Sequence, residues 1–184
     1  MKNTGQTCNA PTRMMIPADK YEQAVVAAKA TAANIKVGNP AEQGDHIGPL
    51  VSAVQFEKVQ AMIQVGIDEG ATLVAGGVGK PEGFETGYFV KPIIFSNVTN
   101  DMRIAQEEIF GPVLVMIPYK DEDEVISIAN DTPYGLAAFI QSESPERAEK
   151  LARKTCACMI CINGAAHRHS APFGGFKQSG NGRE

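Results

Sequence analysis

The chain has 184 residues, 43% of them hydrophobic and 21% charged, with a formal net charge of -4. That length buries a proper core in one domain, and the balance is ordinary for a globular protein. The acidic charge and the lack of basic runs exclude a nucleic-acid binder, and the longest apolar run, Val113 to Pro118, is too short to cross a bilayer.

The first residues, Asn3 to Arg13, set Cys8 among glycine and small polar residues just ahead of Met14-Met15-Ile16. This layout predicts a tight turn presenting a thiol, then a short strand over 13–17. Neighbouring N–H donors favour the thiolate, which is the nucleophilic form of cysteine. The competing reading of Cys8 is a small buried hydrophobe. No apolar leader follows Met1. The four cysteines, three crowded together and one remote, make a poor disulfide framework, so a reducing cytoplasm is the expected compartment.

The spacing of Tyr21, Val25, Ala28, Ala32 and Ile35 predicts a helix closed by Gly38 and Pro40. A polar connection from Asn39 to Pro49 follows. Ser52-Ala53-Val54-Gln55 reads as a capping box opening a second helix, with Phe56, Val59, Ile63 and Ile67 on its buried face and Gly70 at its end. A strand over 71–75 leads into a glycine-rich loop. Tyr88 to Phe95 is β-rich but holds Pro92, which predicts an edge or irregular strand. Val113 to Tyr119 is the most continuous apolar run and the expected central strand.

Asp121 caps a helix running through Asn130, and Thr132-Pro133-Tyr134-Gly135 breaks it. A strand over 137–141, a helix started by Ser144-Pro145 and a strand over 158–163 complete the pattern. Strands alternating with helices predict an α/β fold, a largely parallel sheet flanked by helices in three layers.

Three places carry candidate chemistry. Cys156, Cys158 and Cys161, with His167 and His169 nearby, suggest zinc by composition. Strand alternation would point Cys158 and Cys161 to opposite faces, so small buried residues are the preferred reading and no metal is expected. Glu107-Glu108 precedes Ile109-Phe110-Gly111-Pro112 beside the expected central strand. An acid pair is commonly just solvated. Here a carboxylate could accept both hydroxyls of a ribose and a phenyl ring could flank a flat heterocycle, in the region where open α/β sheets bind ligands. The tail from Pro172 to Arg183 is dense in glycine but lacks the spacing of a phosphate loop, and no G-x-G-x-x-G occurs.

Taken together, Asn3-x-Gly5-Gln6-x-Cys8, Glu107-Glu108-Ile109-Phe110-Gly111-Pro112-Val113 and Pro172-Phe173-Gly174-Gly175-Phe176-Lys177-x-Ser179-Gly180 resemble the aldehyde dehydrogenase superfamily, in the order of its catalytic domain. Asn130 to Leu136, Asn39-Pro40 and Ile47-Gly48-Pro49 resemble it too. The resemblance implies NAD- or NADP-dependent oxidation of an aldehyde to a carboxylic acid. Cys8 would be the nucleophile, forming a thiohemiacetal and then a thioester, with its backbone N–H as half of an oxyanion hole. Glu108 matches the residue that holds the nicotinamide ribose, and Phe110 the one beside the nicotinamide ring. Asn163, His167, His169 and Phe173 fall where the family lines its substrate entrance.

Full-length members of that family are roughly two and a half times longer, as expected of more than one domain. The resemblance therefore implies that residues 1–184 are a catalytic domain without its dinucleotide-binding half, the general base or the C-terminal strand used in oligomers. The expected partners are an aldehyde, the missing half and a possible second copy of the chain, and cofactor binding by these residues alone should be weak or absent. A non-catalytic remnant, or the partner-binding half of a split enzyme, is the alternative.

Overall fold

A four-stranded sheet organises the first of two compact units, Met1–Pro118 and Tyr119–Glu184; the computed structural model describes residues 1–166 and 170–184. In chain order the elements are β1 (Arg13–Pro17), α1 (Tyr21–Asn34), β2 (Lys36–Val37), β3 (His46–Ile47), α2 (Ala53–Asp68), β4 (Thr72–Ala75), β5 (Ile93–Ser96), α3 (Arg103–Gln106), β6 (Val113–Tyr119), α4 (Glu122–Asn130), β7 (Tyr134–Gly135), β8 (Ala137–Ile140), α5 (Pro145–Ala152), β9 (Met159–Ile162) and β10 (Phe176–Lys177).

The main sheet has the order β1-β6-β5-β4. β5 and β6 are parallel, with Ile93 opposite Val113, and β4 joins antiparallel to β5 with a shift of register between Leu73 and Ala75. All four residues of β5 are buried, which requires cover on both faces of the sheet. On one face α1 packs, and Ile16, Tyr21, Ala32, Ile94 and Met116 form a single cluster. On the other, α2 comes so close that a Cβ on Gly66 would sit 3.1 Å from the Phe95 ring. Alternation along β5 sends Ile94 and Phe95 to opposite faces. The unit is thus helix, sheet and helix, the α/β class expected.

Two expectations change. The strand near Pro92 is interior rather than an edge, because the proline lies one residue ahead of β5 and takes no rung of its ladder. The buried face of α2 is Val59, Met62, Ile63 and Gly66, while Ile67 is exposed. A glycine reads as a weak helix residue in sequence, yet here its missing side chain is what lets the sheet approach. Tyr21 ties the layers together: its hydroxyl donates to Met116 O at 2.9 Å and accepts from Asn97 N at 2.6 Å.

In the second unit β8 and β9 pair in parallel through α5, a βαβ arrangement, and β7 pairs antiparallel with β10. Each helix start carries its expected cap: Asp121 accepts from Glu124 N, and Ser144 from Arg147 N. Among the described residues no helix is long and apolar enough to cross a membrane.

Candidate active site

The Cys8 loop is shaped by its backbone. Asn3, Thr4 and Gly5 all have positive φ, at 49, 55 and 72°. That region is costly for a β-branched residue. Thr4 is held there by near-complete burial and by a hydrogen bond from its hydroxyl to Gly48 O at 3.0 Å. Gln6 N donates to Asn3 O, and Asn3 Nδ2 donates back to Gln6 O. The Gln6 side chain reaches the segment ahead of α2, accepting from Val51 N at 2.8 Å and donating to Pro49 O at 3.4 Å. A second turn, closed by Ala10 N to Thr7 O at 3.0 Å, has Cys8 at its corner. The thiol is exposed, so Cys8 is not the buried hydrophobe of the competing reading. Its backbone N–H has no acceptor among the described residues.

The acid pair lies against this loop. A Cβ on Gly5 would run into the carbonyl oxygen of Gly111, so the approach of Asn3–Cys8 to Glu107–Val113 is closer than any side chain permits. The two acids differ. Arg103 donates to Glu107 through Nε at 2.6 Å and Nη2 at 3.2 Å, and this pairing holds the Glu107 carboxyl below the usual carboxylate range. The Glu108 side chain is exposed and has no partner among the described residues, while its carbonyl accepts from Lys58 Nζ at 2.7 Å. Phe110 has φ +57° and is half-buried. Gln55 Nε2 donates to both Ile109 O and Phe110 O, each at 2.9 Å.

Gln55 and Lys58 are thus part of the site without having been expected there. The Ser52 hydroxyl does accept from Gln55 N at 3.3 Å, but the Gln55 amide is spent on the Phe110 turn instead of on the Ser52 N–H. Only half of the capping box exists. A polar residue three positions after a cap was the available signal, and it points equally well to either use.

The remaining expected residues lie in the second unit. Asn163 ends β9 with φ +51° and stitches it to the chain beyond β8, accepting from Ser142 N at 2.9 Å and donating to Ser142 O at 2.8 Å. Phe173 is half-buried and exchanges backbone hydrogen bonds with Glu184. His167 and His169 lie outside the described residues. The glycine-dense tail is a clasp: Lys177 Nζ donates to Asn130 O and Thr132 O at the end of α4, Gln178 N to Pro133 O, and Ser179 Oγ accepts from Gly135 N. Arg183 stacks on Phe176 at 4.7 Å. Cys161 is buried on β9, Cys158 is half-buried and Cys156 exposed. Among the described residues no three histidine, cysteine or acidic side chains are grouped to hold a metal ion.

Comparison with known proteins places this geometry. The Aldehyde dehydrogenase family profile matches residues 1–184. A 3-succinoylsemialdehyde-pyridine dehydrogenase of a Pseudomonas species is 52% identical over 184 residues, covering 100% of this chain and 39% of that protein. The structure of an aldehyde dehydrogenase from Bartonella henselae superposes with a TM-score of 0.96 at 47% identity, over 98% of this chain and 38% of that one. Aldehyde dehydrogenase C of Pseudomonas syringae, a mutant in complex with NAD+ and octanal, superposes with a TM-score of 0.97 at 46% identity, over 99% and 38%. The chain therefore spans about 39% of the length of the curated relative it matches. Matched along its whole length, with the Cys8 and Glu108 stretches docked on each other, the chain belongs to the aldehyde dehydrogenase family.

Proposed function

We propose that these residues carry the nucleophile and the nicotinamide end of a site that oxidises an aldehyde to a carboxylic acid. The observation that carries this reading is the contact of Gly5 with Gly111, which sets the exposed Cys8 loop beside the turn holding Glu108 and Phe110. Cys8 Sγ, as thiolate, attacks the aldehyde carbon; a C–S bond forms and the carbonyl oxygen takes the negative charge. The unpartnered Cys8 N–H is available to donate to that oxygen. When the carbonyl reforms, hydride departs and Cys8 is left as a thioester, which water cleaves to the acid and the free thiol. NAD or NADP, when bound, supplies the hydride acceptor. The residues fit such a group: Glu108 has an uncommitted carboxylate for the ribose hydroxyls, and the half-buried Phe110 ring offers a flat apolar face for the nicotinamide.

The family resemblance assigns substrate lining to Asn163, His167, His169 and Phe173, and of these Asn163 has its side-chain amide engaged by Ser142 N and O. A free thiol suits a reducing, cytoplasmic setting. The same resemblance assigns deacylation to a general base that these residues do not supply. The 184-residue chain accordingly captures aldehyde without sustained turnover.

The test is alkylation of the purified chain with iodoacetamide, each cysteine followed by peptide mass spectrometry. Cys8 should react about tenfold or more faster than Cys156, which is also exposed and controls for access. Equal rates would remove the nucleophile reading. A panel of aldehydes with NAD should give no steady reduction, and steady reduction would show that a base is present after all.

A further inference from the structure

We infer that Gln6 is a positioning residue for Cys8, and that its side-chain amide sets the presentation of the thiol. The inference rests on the nucleophile reading of Cys8 above. Gln6 is the last residue before the turn of Thr7 to Ala10, and among the described residues its amide makes the only hydrogen bonds from the side chains of residues 6–10. Its two ends are used in opposite senses. Oε1 accepts from Val51 N at 2.8 Å, and Nε2 donates to Pro49 O and back to Asn3 O, both at 3.4 Å. An amide has the donor and the acceptor that this pair of backbone groups demands. A carboxylate supplies only the acceptor, and an aliphatic chain neither.

The anchor point is well chosen mechanically. Val51 adjoins Ser52, the cap of α2, and the same helix sends Gln55 to the Phe110 turn and Lys58 to Glu108 O. One rigid helix start therefore holds both the nucleophile loop, through Gln6, and the acid-bearing turn. Gly5 and Gly111 bring the two stretches together, while Gln6 determines how the residues after Gly5 leave that contact. Cys8 and its unpartnered N–H are carried by a turn whose own closure is one hydrogen bond, Ala10 N to Thr7 O. Without the Gln6 anchor the turn is held only at its flanks, by the bonds of Asn3 with Gln6 and of Val115 N to Thr12 O, and residues 7–10 can shift between them.

The experiment compares Gln6→Met, which keeps length and removes both links, with Gln6→Glu, which keeps the acceptor for Val51 N. Cys156, Cys158 and Cys161 are replaced by serine in every sample, and Cys8 is labelled with a trifluoromethyl ketone for 19F spectroscopy. The expected result is one sharp line for the parent, a shifted and broadened line for Gln6→Met and an intermediate line for Gln6→Glu. Alkylation of unlabelled Cys8 should slow by about tenfold in Gln6→Met, the loss of the amide's three hydrogen bonds being enough to depopulate the presented turn by that factor. Circular dichroism checks that the fold is retained; if Gln6→Met does not fold, Gln6→Glu carries the comparison. An unchanged 19F line in the folded variants overturns the inference. If the wild-type chain, with all four cysteines, alkylates Cys8 no faster than Cys156, the nucleophile reading fails instead, and the 19F comparison still decides the role of Gln6.

Discussion

Replacing Gly5 with alanine should cost far more than replacing Gly48, although both glycines lie in the same corner of the first unit. At Gly5 φ is +72°, and a Cβ would overlap the carbonyl of Gly111 and come within 3.1 Å of Pro112 N. The left-handed conformation alone costs alanine roughly 1–2 kcal/mol. The overlap is with backbone on both sides, so no rotamer change relieves it and the two stretches must part by about 1.5 Å, a normal contact less the 2.0 Å approach to Gly111 O. Parting them strains the bond from the buried Thr4 hydroxyl to Gly48 O, and an orphaned buried hydroxyl costs roughly 1–3 kcal/mol. The sum is about 2–5 kcal/mol, a large share of a typical domain's stability. At Gly48 a Cβ would meet nothing nearer than Pro40 Cβ at 3.8 Å, an ordinary contact, so alanine there should change stability by less than about 0.5 kcal/mol. Urea unfolding of the three proteins, followed by circular dichroism, measures both. If Gly5→Ala lost less than about 1 kcal/mol, or no more than Gly48→Ala, the two motif stretches would not depend on that contact and the site geometry built on it would be wrong.

Tyr21→Phe removes the hydroxyl that bridges Met116 O and Asn97 N and should destabilise by about 1–3 kcal/mol in the same assay. Burial raises the Tyr21 pKa above its ordinary 10.0, so the parent's stability from this group is complete below pH 10 and falls as pH rises toward the folded value; Tyr21→Phe should lose that alkaline decline. Lys177→Met removes the cation that closes the end of α4 on Asn130 O and Thr132 O, and should cost about 1–2 kcal/mol. Hydrogen exchange should show the faster amides in residues 119–184, and protection unchanged there would refute the clasp.

Much of the fold was legible because its signals are local. The caps at Ser52, Asp121 and Ser144, the stripe through Tyr21, Val25, Ala28 and Ala32, and the apolar run from Val113 depend on neighbours in sequence, and all lie where the pattern placed them. What was hidden depends on partners far along the chain. Gly66 belongs to a buried face only because Phe95 and Ile104 need its space. Gln55 looks like half of a capping box until residues 109 and 110 arrive beside it. The choice between Glu107 and Glu108 was carried by resemblance alone; the physical distinction is that Arg103, one helical turn before Glu107, claims that acid and leaves the next one free.

The three stretches that carry the family resemblance do different jobs, and glycine marks the difference. In Asn3–Cys8 and Glu107–Val113 the glycines meet each other, Gly5 against Gly111, so the motif is a contact between two pieces of chain that carry the proposed site residues Cys8, Glu108 and Phe110. In the tail Gly174 and Gly175 meet their own hairpin. A Cβ on Gly174 would sit 2.3 Å from Gly182 O and one on Gly175 2.5 Å from Ser179 Cβ, while Gly180 and Gly182 face open space. Three of the tail's polar side chains are taken up by backbone: Lys177 by Asn130 O and Thr132 O, Ser179 by Gly135 N, and Arg183 by Gly175 O. A phosphate-binding loop needs N–H groups and cations left free for the ligand, whereas this tail has committed its lysine and serine to the turn after α4. Glycine density therefore carries opposite meanings within one chain: at Gly5 it admits a neighbour to the loop that presents Cys8, and in the tail it closes a structural clasp.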